Sequence, residues 1–321
     1  MASSSAGGAP EQPTDRTGDR PGGSPDNHPG GRPESLVAKT RALGDAVIFR
    51  HTLFSLPFAL AAVLVESEGH PPLLKLLFIV LAAASGRNLA NALNRLIDRD
   101  IDARNPRTAG RHLPSGKLSP RDLVLFSVAM GLILVASTAA LGWLCLALLP
   151  LAGVAIFGYS YTKRWTWLCH FWLGATCAIA PMGALIALTG KIFELRFFAM
   201  AGGVALWVAG FDILYAIQDI AVDRAQGLHS VPARFGETGA RLIAAASHTG
   251  TLVLFAALPF LWQPLGLAWW SGLGVMAALL VAEHLVARGG TERHVRIAAY
   301  GINEIIPLVM LLAAILDVYL L

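Results

Sequence analysis

The chain has 321 residues, 55% of them hydrophobic and 14% charged, with a formal net charge of +4 and a mean hydropathy of +0.57. Soluble domains carry about 25% charged residues, so this balance excludes an ordinary soluble protein and indicates an integral membrane one. The three cysteines, Cys145, Cys169 and Cys177, form neither a disulfide framework nor a zinc spacing, and they read as small packing residues.

Residues 1–35 are rich in Ser, Gly, Pro and Asp and nearly devoid of apolar side chains. Such a segment cannot bury enough surface to offset its ordering entropy, so a disordered cytoplasmic tail is expected. It also lacks the apolar core of a signal peptide. Residues 36–321 then form one transmembrane domain. Nine spans are expected, near 50–66, 72–97, 121–142, 144–161, 167–189, 196–218, 241–262, 266–287 and 298–321. A run of about 20 apolar residues is enough to cross a hydrocarbon core of roughly 30 Å. The third and fourth spans, joined around Gly142-Trp143, read as a tight helical hairpin.

Nine spans put the termini on opposite sides of the membrane. Of the 25 basic residues, only Lys75, Lys191 and Arg196 fall on one side. Cytoplasmic loops are enriched in Lys and Arg, so the other side is cytoplasmic and holds the N-terminus. The positive surplus therefore lies along the inner membrane face. It gives no reason to invoke nucleic acid, and no obligatory protein partner is evident.

Two acidic stretches interrupt this pattern. The second span runs into Asn94-Arg-Leu-Ile-Asp98-Arg-Asp-Ile-Asp102. A helix turns about 100° per residue, so Asn94, Asp98 and Asp102 share one face within roughly 80°, and Asp100 points elsewhere. The sixth span runs into Asp212-Ile-Leu-Tyr215-Ala-Ile-Gln-Asp219-Ile-Ala-Val-Asp223. On one continuous helix its three acids fall within about 40°. Carboxylates at the edge of a membrane helix are costly and mark a functional site. Two oxygen-bearing platforms suit Mg²⁺ and a phosphorylated ligand.

Basic loops follow both motifs. The first carries Arg104, Arg107, Arg111, His112 and Lys117, with Arg107 and Arg111 framed by Pro106, Gly110 and Pro114. Arginine forks match phosphate oxygens bidentately. The second loop, Arg224 to Gly236, reads as a weaker copy. The motifs lie 121 residues apart, the spacing of two related half-bundles around one cavity. The Tyr161-Thr-Lys163-Arg164 turn adds two cations on the same side, either of which can neutralise a phosphate. Arg50 either snorkels to headgroups or reaches into the cavity. His170, His248 and His284 stand isolated on apolar stretches and read as packing residues. No phosphate-binding Gly loop, dinucleotide fingerprint or HExxH pattern is present in the sequence.

The first motif, followed by Arg107-Thr-Ala-Gly-Arg111-His-Leu-Pro-Ser-Gly116, resembles the first signature of the UbiA superfamily of intramembrane aromatic prenyltransferases. Asp212-x-x-Tyr215-Ala-x-x-Asp219-x-x-x-Asp223 is similar to the second, and Tyr161-Thr-Lys163-Arg164 to the basic turn between them. The resemblance covers residues 45–321. One departure is Arg95, where many members carry an acid. The local form is similar to the 4-hydroxybenzoate branch, including members proposed to prenylate a naphthoate in an alternative menaquinone route.

This resemblance implies an all-α membrane protein with nine helices around a central cavity. It implies Mg²⁺ held by Asn94, Asp98, Asp102, Asp219 and Asp223, and a polyprenyl diphosphate donor. The acceptor is aromatic, such as 4-hydroxybenzoate in ubiquinone or menaquinone synthesis at the inner membrane. Arg107, Arg111, Lys163 and Arg164 face the diphosphate. Asp212 or Tyr215 stabilises the allylic cation or takes a proton, and Arg50 or Arg111 meets an acceptor carboxylate. A competing reading is an ion-coupled transporter, which would place its acids near the bilayer midplane rather than at helix ends beside basic loops.

Overall fold

The computed structural model describes residues 52–289, 294 and 297–320. The expected tail 1–35 and Arg50 lie outside these residues. The described chain is helical throughout, in the order α1 (Thr52–Glu66), α2 (Leu73–Ile97), α3 (Arg99–Arg104), α4 (Pro120–Leu141), α5 (Trp143–Thr162), α6 (Cys169–Thr189) and α7 (Leu195–Ala216). A 3₁₀ turn (Ile217–Asp219) then leads to α8 (Ile220–Ala225), α9 (Val231–Leu261), α10 (Leu267–Ala287), a π-helical turn (Ile297–Ile302) and α11 (Asn303–Tyr319).

Seven segments are long and apolar enough to cross a membrane: α2, α4, α5, α6, Leu195–Ala225, α9 and α10. The first and last expected spans correspond to α1, with 15 residues, and α11, with 17. Among the described residues these two fall below that length.

Local chemistry sets the helix ends. Ser119 and Asp122 form a reciprocal capping box ahead of α4, with Pro120 in the first turn, where its missing N–H costs nothing. One residue, Gly142, joins α4 to α5 at φ +125°, which only glycine adopts without strain. The expected hairpin is therefore as tight as a helical turn allows. Ser230 caps α9, accepting from the Ala233 N–H at 3.2 Å. The second loop, expected to reach Gly236, ends six residues earlier: α9 begins at Val231 and only kinks at Gly236. At the opposite end of the bundle, Asp317 of α11 accepts from the N–H groups of Gly266, Ala268 and Trp269 at 2.8–2.9 Å. It thereby satisfies donors that the start of α10 would otherwise leave orphaned.

Helix α7 packs between α6 and α9, α2 against α4, and α11 returns against both α10 and α1. Phe54, Phe58, Trp207 and Phe255 lie buried where α1, α7 and α9 meet. The α6–α7 contact is the closest kind: a Cβ on Gly174 would stand 2.1 Å from the Ala205 carbonyl oxygen. Small residues permit such backbone approach between membrane helices. Large apolar side chains such as Leu125, Leu132, Leu151 and Phe260 point outward and are exposed, the surface that lipid covers.

Candidate active site

Both acidic motifs bend where the sequence read them as straight. Helix α2 ends at Ile97; Asp98 then takes φ −94°, ψ 7°, and the six-residue α3 follows. Helix α7 ends at Ala216; Asp219 takes φ −96°, ψ 2°, and the six-residue α8 follows. The corresponding acids, 121 positions apart, thus share one backbone conformation and one local design. This is a stronger sign of two related halves than spacing alone. It also corrects the straight-helix geometry, since Asp212, Asp219 and Asp223 do not converge on one partner.

Each acid has its own partners. Asp98 is 2% exposed, far too buried to carry an unpaired charge. Lys163 Nζ stands 2.6 Å from its Oδ2, Arg164 Nη2 lies 3.3 Å from its Oδ1, and Asn94 Nδ2 donates to Oδ2 at 2.6 Å. Asp102 receives Arg111 Nη1 on both oxygens, at 2.7 and 2.8 Å, with Arg95 at 3.7 Å. The residue that departs from the family pattern therefore reinforces Asp102. Asp219 receives a fork from Arg107, Nε to Oδ1 at 3.0 Å and Nη2 to Oδ2 at 2.5 Å, together with Asn105 Nδ2 at 3.0 Å. Asp223 accepts from the Ser230 hydroxyl at 2.8 Å.

Arg107 ties the two halves together. It belongs to the first loop, yet it grips Asp219 of the second motif, donates through Nη1 to the Tyr215 hydroxyl at 2.7 Å, and lies 5.0 Å from the centre of that ring. Asn105 holds the loop in place by accepting the Arg107 N–H at 3.0 Å. The basic turn is fixed as firmly. Arg164 donates to the carbonyls of Ile97 and Ser160 at 2.8 and 3.0 Å, and the Lys163 carbonyl accepts the His229 N–H at 2.6 Å.

A cavity of about 410 Å³ is lined by Asp100, Arg104, Arg164 and Gln226 among others, and by none of Asp98, Asp102, Asp219 and Asp223, so Asp100 is set apart from the other acids. Among the described residues no three His, Cys, Asp or Glu side chains are already gathered on one point as a metal cage. The acids and Asn94 offer oxygen donors only, which suits a hard cation that takes most of its shell from phosphates and water.

Arg50, an expected site residue, lies outside the described residues. Three features were not legible in the chain. His170 is no isolated packing residue: its Nδ1 lies 2.7 Å from Asp212 Oδ2. His248 and His284 pair with each other, Nδ1 to Nε2, at 3.0 Å. Arg87, absorbed in the second span, donates from Nη1 to Cys177 Sγ at 3.2 Å, and its buried Nε has no hydrogen-bond partner. Arg87 thereby joins α2 to α6. A lone Arg amid Ala, Ser and Leu in an apolar run was the available signal.

This layout is that of a multi-pass membrane protein with a polar site at the bends of two related helices. Residues 55–305 match the UbiA prenyltransferase family, and the chain belongs to it. It is 30% identical over 255 residues to a 4-hydroxybenzoate octaprenyltransferase of Xanthomonas euvesicatoria, covering 79% of this chain and 81% of that protein. It is 32% identical to a protoheme IX farnesyltransferase of Thermus thermophilus, over 75% of this chain but 40% of that one. The solved apo structure of a UbiA homolog from Aeropyrum pernix superposes with a TM-score of 0.75 at 32% identity, over 83% of this chain and 98% of the other. A UbiA homolog from Archaeoglobus fulgidus, solved with GPP and Mg²⁺, shares the fold with a TM-score of 0.62 at 19% identity, over 88% of this chain and 99% of the other.

Proposed function

We propose that the chain transfers a polyprenyl group, with Mg²⁺, from its diphosphate to an aromatic acceptor of the 4-hydroxybenzoate type, serving quinone synthesis at the cytoplasmic face of the inner membrane. The observation that carries this reading is Arg107, which joins the first loop to Asp219 and Tyr215. It links the two acid motifs and supports a reading in which its forked cation meets a diphosphate.

Asp98 and Asp102 on one bend, with Asp219 and Asp223 on the other, would hold the metal, and Asn94 sets the orientation of Asp98. The Archaeoglobus homolog, solved with Mg²⁺ and GPP, supports a divalent cation and a prenyl diphosphate as the ligands. When bound, Mg²⁺ would neutralise phosphate oxygens and favour the departure of diphosphate. Lys163, Arg164, Arg107 and Arg111, each now paired to a carboxylate, have the reach and charge to take up phosphate oxygens instead. Such preorganised cations act most strongly on the charge that develops as the allylic C–O bond breaks. A ring carbon beside the phenolic hydroxyl attacks the allylic carbon, and the proton it loses goes to Asp212. Tyr215 is less suited to accept that proton, because its hydroxyl already accepts from Arg107. The buried, unpartnered Arg87 Nε offers the acceptor's carboxylate a charge-assisted hydrogen bond.

Membranes carrying the full chain, given labelled polyprenyl diphosphate with 4-hydroxybenzoate and dihydroxynaphthoate in competition, should yield mainly the prenylated hydroxybenzoate. A predominance of the naphthoate product would shift the acceptor to the second reading. Failure to prenylate either one with Mg²⁺ present would overturn the function. In the same assay Arg87→Ala should raise KM for the acceptor about 10–100-fold, the worth of one charged hydrogen bond. KM for the diphosphate should stay within about twofold, since Arg87 lies off the phosphate cluster. An unchanged acceptor KM would remove Arg87 from the acceptor site.

A further inference from the structure

His170 sits in the first turn of α6 and is 4% exposed. Its Nδ1 lies 2.7 Å from Asp212 Oδ2 on α7. A carboxylate can only accept, so Nδ1 carries the proton and donates it. Nε2 is buried and has no hydrogen-bond partner. Asp212 is different: 28% of its side chain is accessible, so one end of the carboxyl is buried against the imidazole and the other is open.

The backbone geometry makes this pair rigid. His170 and Gly174 are one helical turn apart on α6, and Ala205 and Asp212 are two turns apart on α7, so each couple shares a helix face. The close approach of Gly174 to the Ala205 carbonyl presses these two faces together. Trp167 and Phe171 also pack against the buried cluster that contains Ile213 and Leu214, the residues that follow Asp212. His170 therefore cannot swing away from Asp212, nor Asp212 from His170, without parting the two helices.

We infer that His170 is a positioning residue for the transfer reaction. It fixes Asp212 through Oδ2, so that Oδ1 faces the acceptor ring and takes its proton. This rests on the proposed function above. In the step itself the allylic C–O bond breaks and diphosphate leaves with its electron pair. The ring carbon then forms the new C–C bond. The ring C–H bond breaks last, its electrons restoring aromaticity and its proton passing to Asp212. Loss of His170 leaves diphosphate binding intact and makes the last of these events slow.

The test uses the purified full chain with saturating polyprenyl diphosphate. The acceptor is 4-hydroxybenzoate, unlabelled or deuterated at both carbons flanking the hydroxyl-bearing one. For the wild type, the deuterated ring should react at nearly the ordinary rate. His170→Ala should lower kcat about 10–100-fold, a part of the 10²–10⁴-fold worth of a positioned base. KM for the diphosphate should be unchanged, and deuteration should now slow the reaction at least about twofold. His170→Asn, whose side-chain N–H stands near the place of Nδ1, should recover most of kcat and lose the isotope effect. An unaltered kcat in His170→Ala, or a lowered kcat with no isotope effect, overturns the proposal, since a merely structural histidine would not expose proton removal. A wild-type chain that does not prenylate 4-hydroxybenzoate would overturn the proposed function first, and this inference with it.

Discussion

Asp98→Ala and Asp219→Ala should each lower the rate of prenyl transfer about 10²–10³-fold or more, the usual cost of deleting one preorganised electrostatic group. The reason is the place each acid holds. Both lie at the bend that ends a long helix, and both carry the densest set of partners in their half: Lys163, Arg164 and Asn94 on Asp98, Arg107 and Asn105 on Asp219. Removing either acid would delete a proposed oxygen ligand and also let loose the cations it aims. Initial rates at saturating Mg²⁺ measure the effect, with far-ultraviolet circular dichroism to verify that the helices persist. Either variant retaining full activity, while folded, would sink the metal–diphosphate reading of that motif. The Asn variants should be nearly as slow, because they keep shape and lose charge.

The largest expected effect on folding lies elsewhere, at Gly174. A Cβ there would meet the Ala205 carbonyl at 2.1 Å, and a carbonyl cannot rotate aside as a side-chain tip can. Gly174→Leu must therefore part α6 from α7. A cost near the upper end of the overpacking range, about 3 kcal/mol, is expected. For a chain of this size that lowers Tm by about 4–5 °C. Gly131, whose Cβ position is open, is the matched control, and Gly131→Ala should leave Tm nearly unchanged. A thermal melt of the two variants in the same detergent decides. Equal melting temperatures would show that the two helices are not pressed together as described.

Much of this was legible in the chain, and the reason is cost. Charges in a membrane helix are expensive, so Asp98, Asp102, Asp219 and Asp223 stand out against their apolar background, and the basic residues beside them follow from the same excess. The single-residue hairpin at Gly142 was readable because two apolar runs abut there. What could not be read depended on the third dimension. Straight-helix arithmetic put the acids of each motif on one face, but Asp98 and Asp219 leave the helical region, and no local breaker such as Pro or Gly announces it. The partner of Asp212 is 42 residues away in the chain, so His170 looked isolated. His248 and His284, 36 residues apart, were hidden in the same way. Arg87 was lost for a different reason: one more cation in a 25-residue helix that also carries Lys75 and Arg95 hardly changes its hydropathy, although its unpaired Nε is what makes it informative.

The pairing of motif cations to motif acids bears on how a turnover ends. Three carboxylates, Asp98, Asp102 and Asp219, already compete for five cations, Lys163, Arg164, Arg95, Arg111 and Arg107. A diphosphate that draws those cations away must do so against an anion tethered a few ångströms off. Once the prenyl group has gone, the leaving diphosphate meets the same rivals at undiminished local concentration. In the proposed reaction the acids that help seat the donor would thus also displace the product, as an exchange resin releases one anion for another. A site able to grip so highly charged a molecule through several forked cations need not be trapped by it.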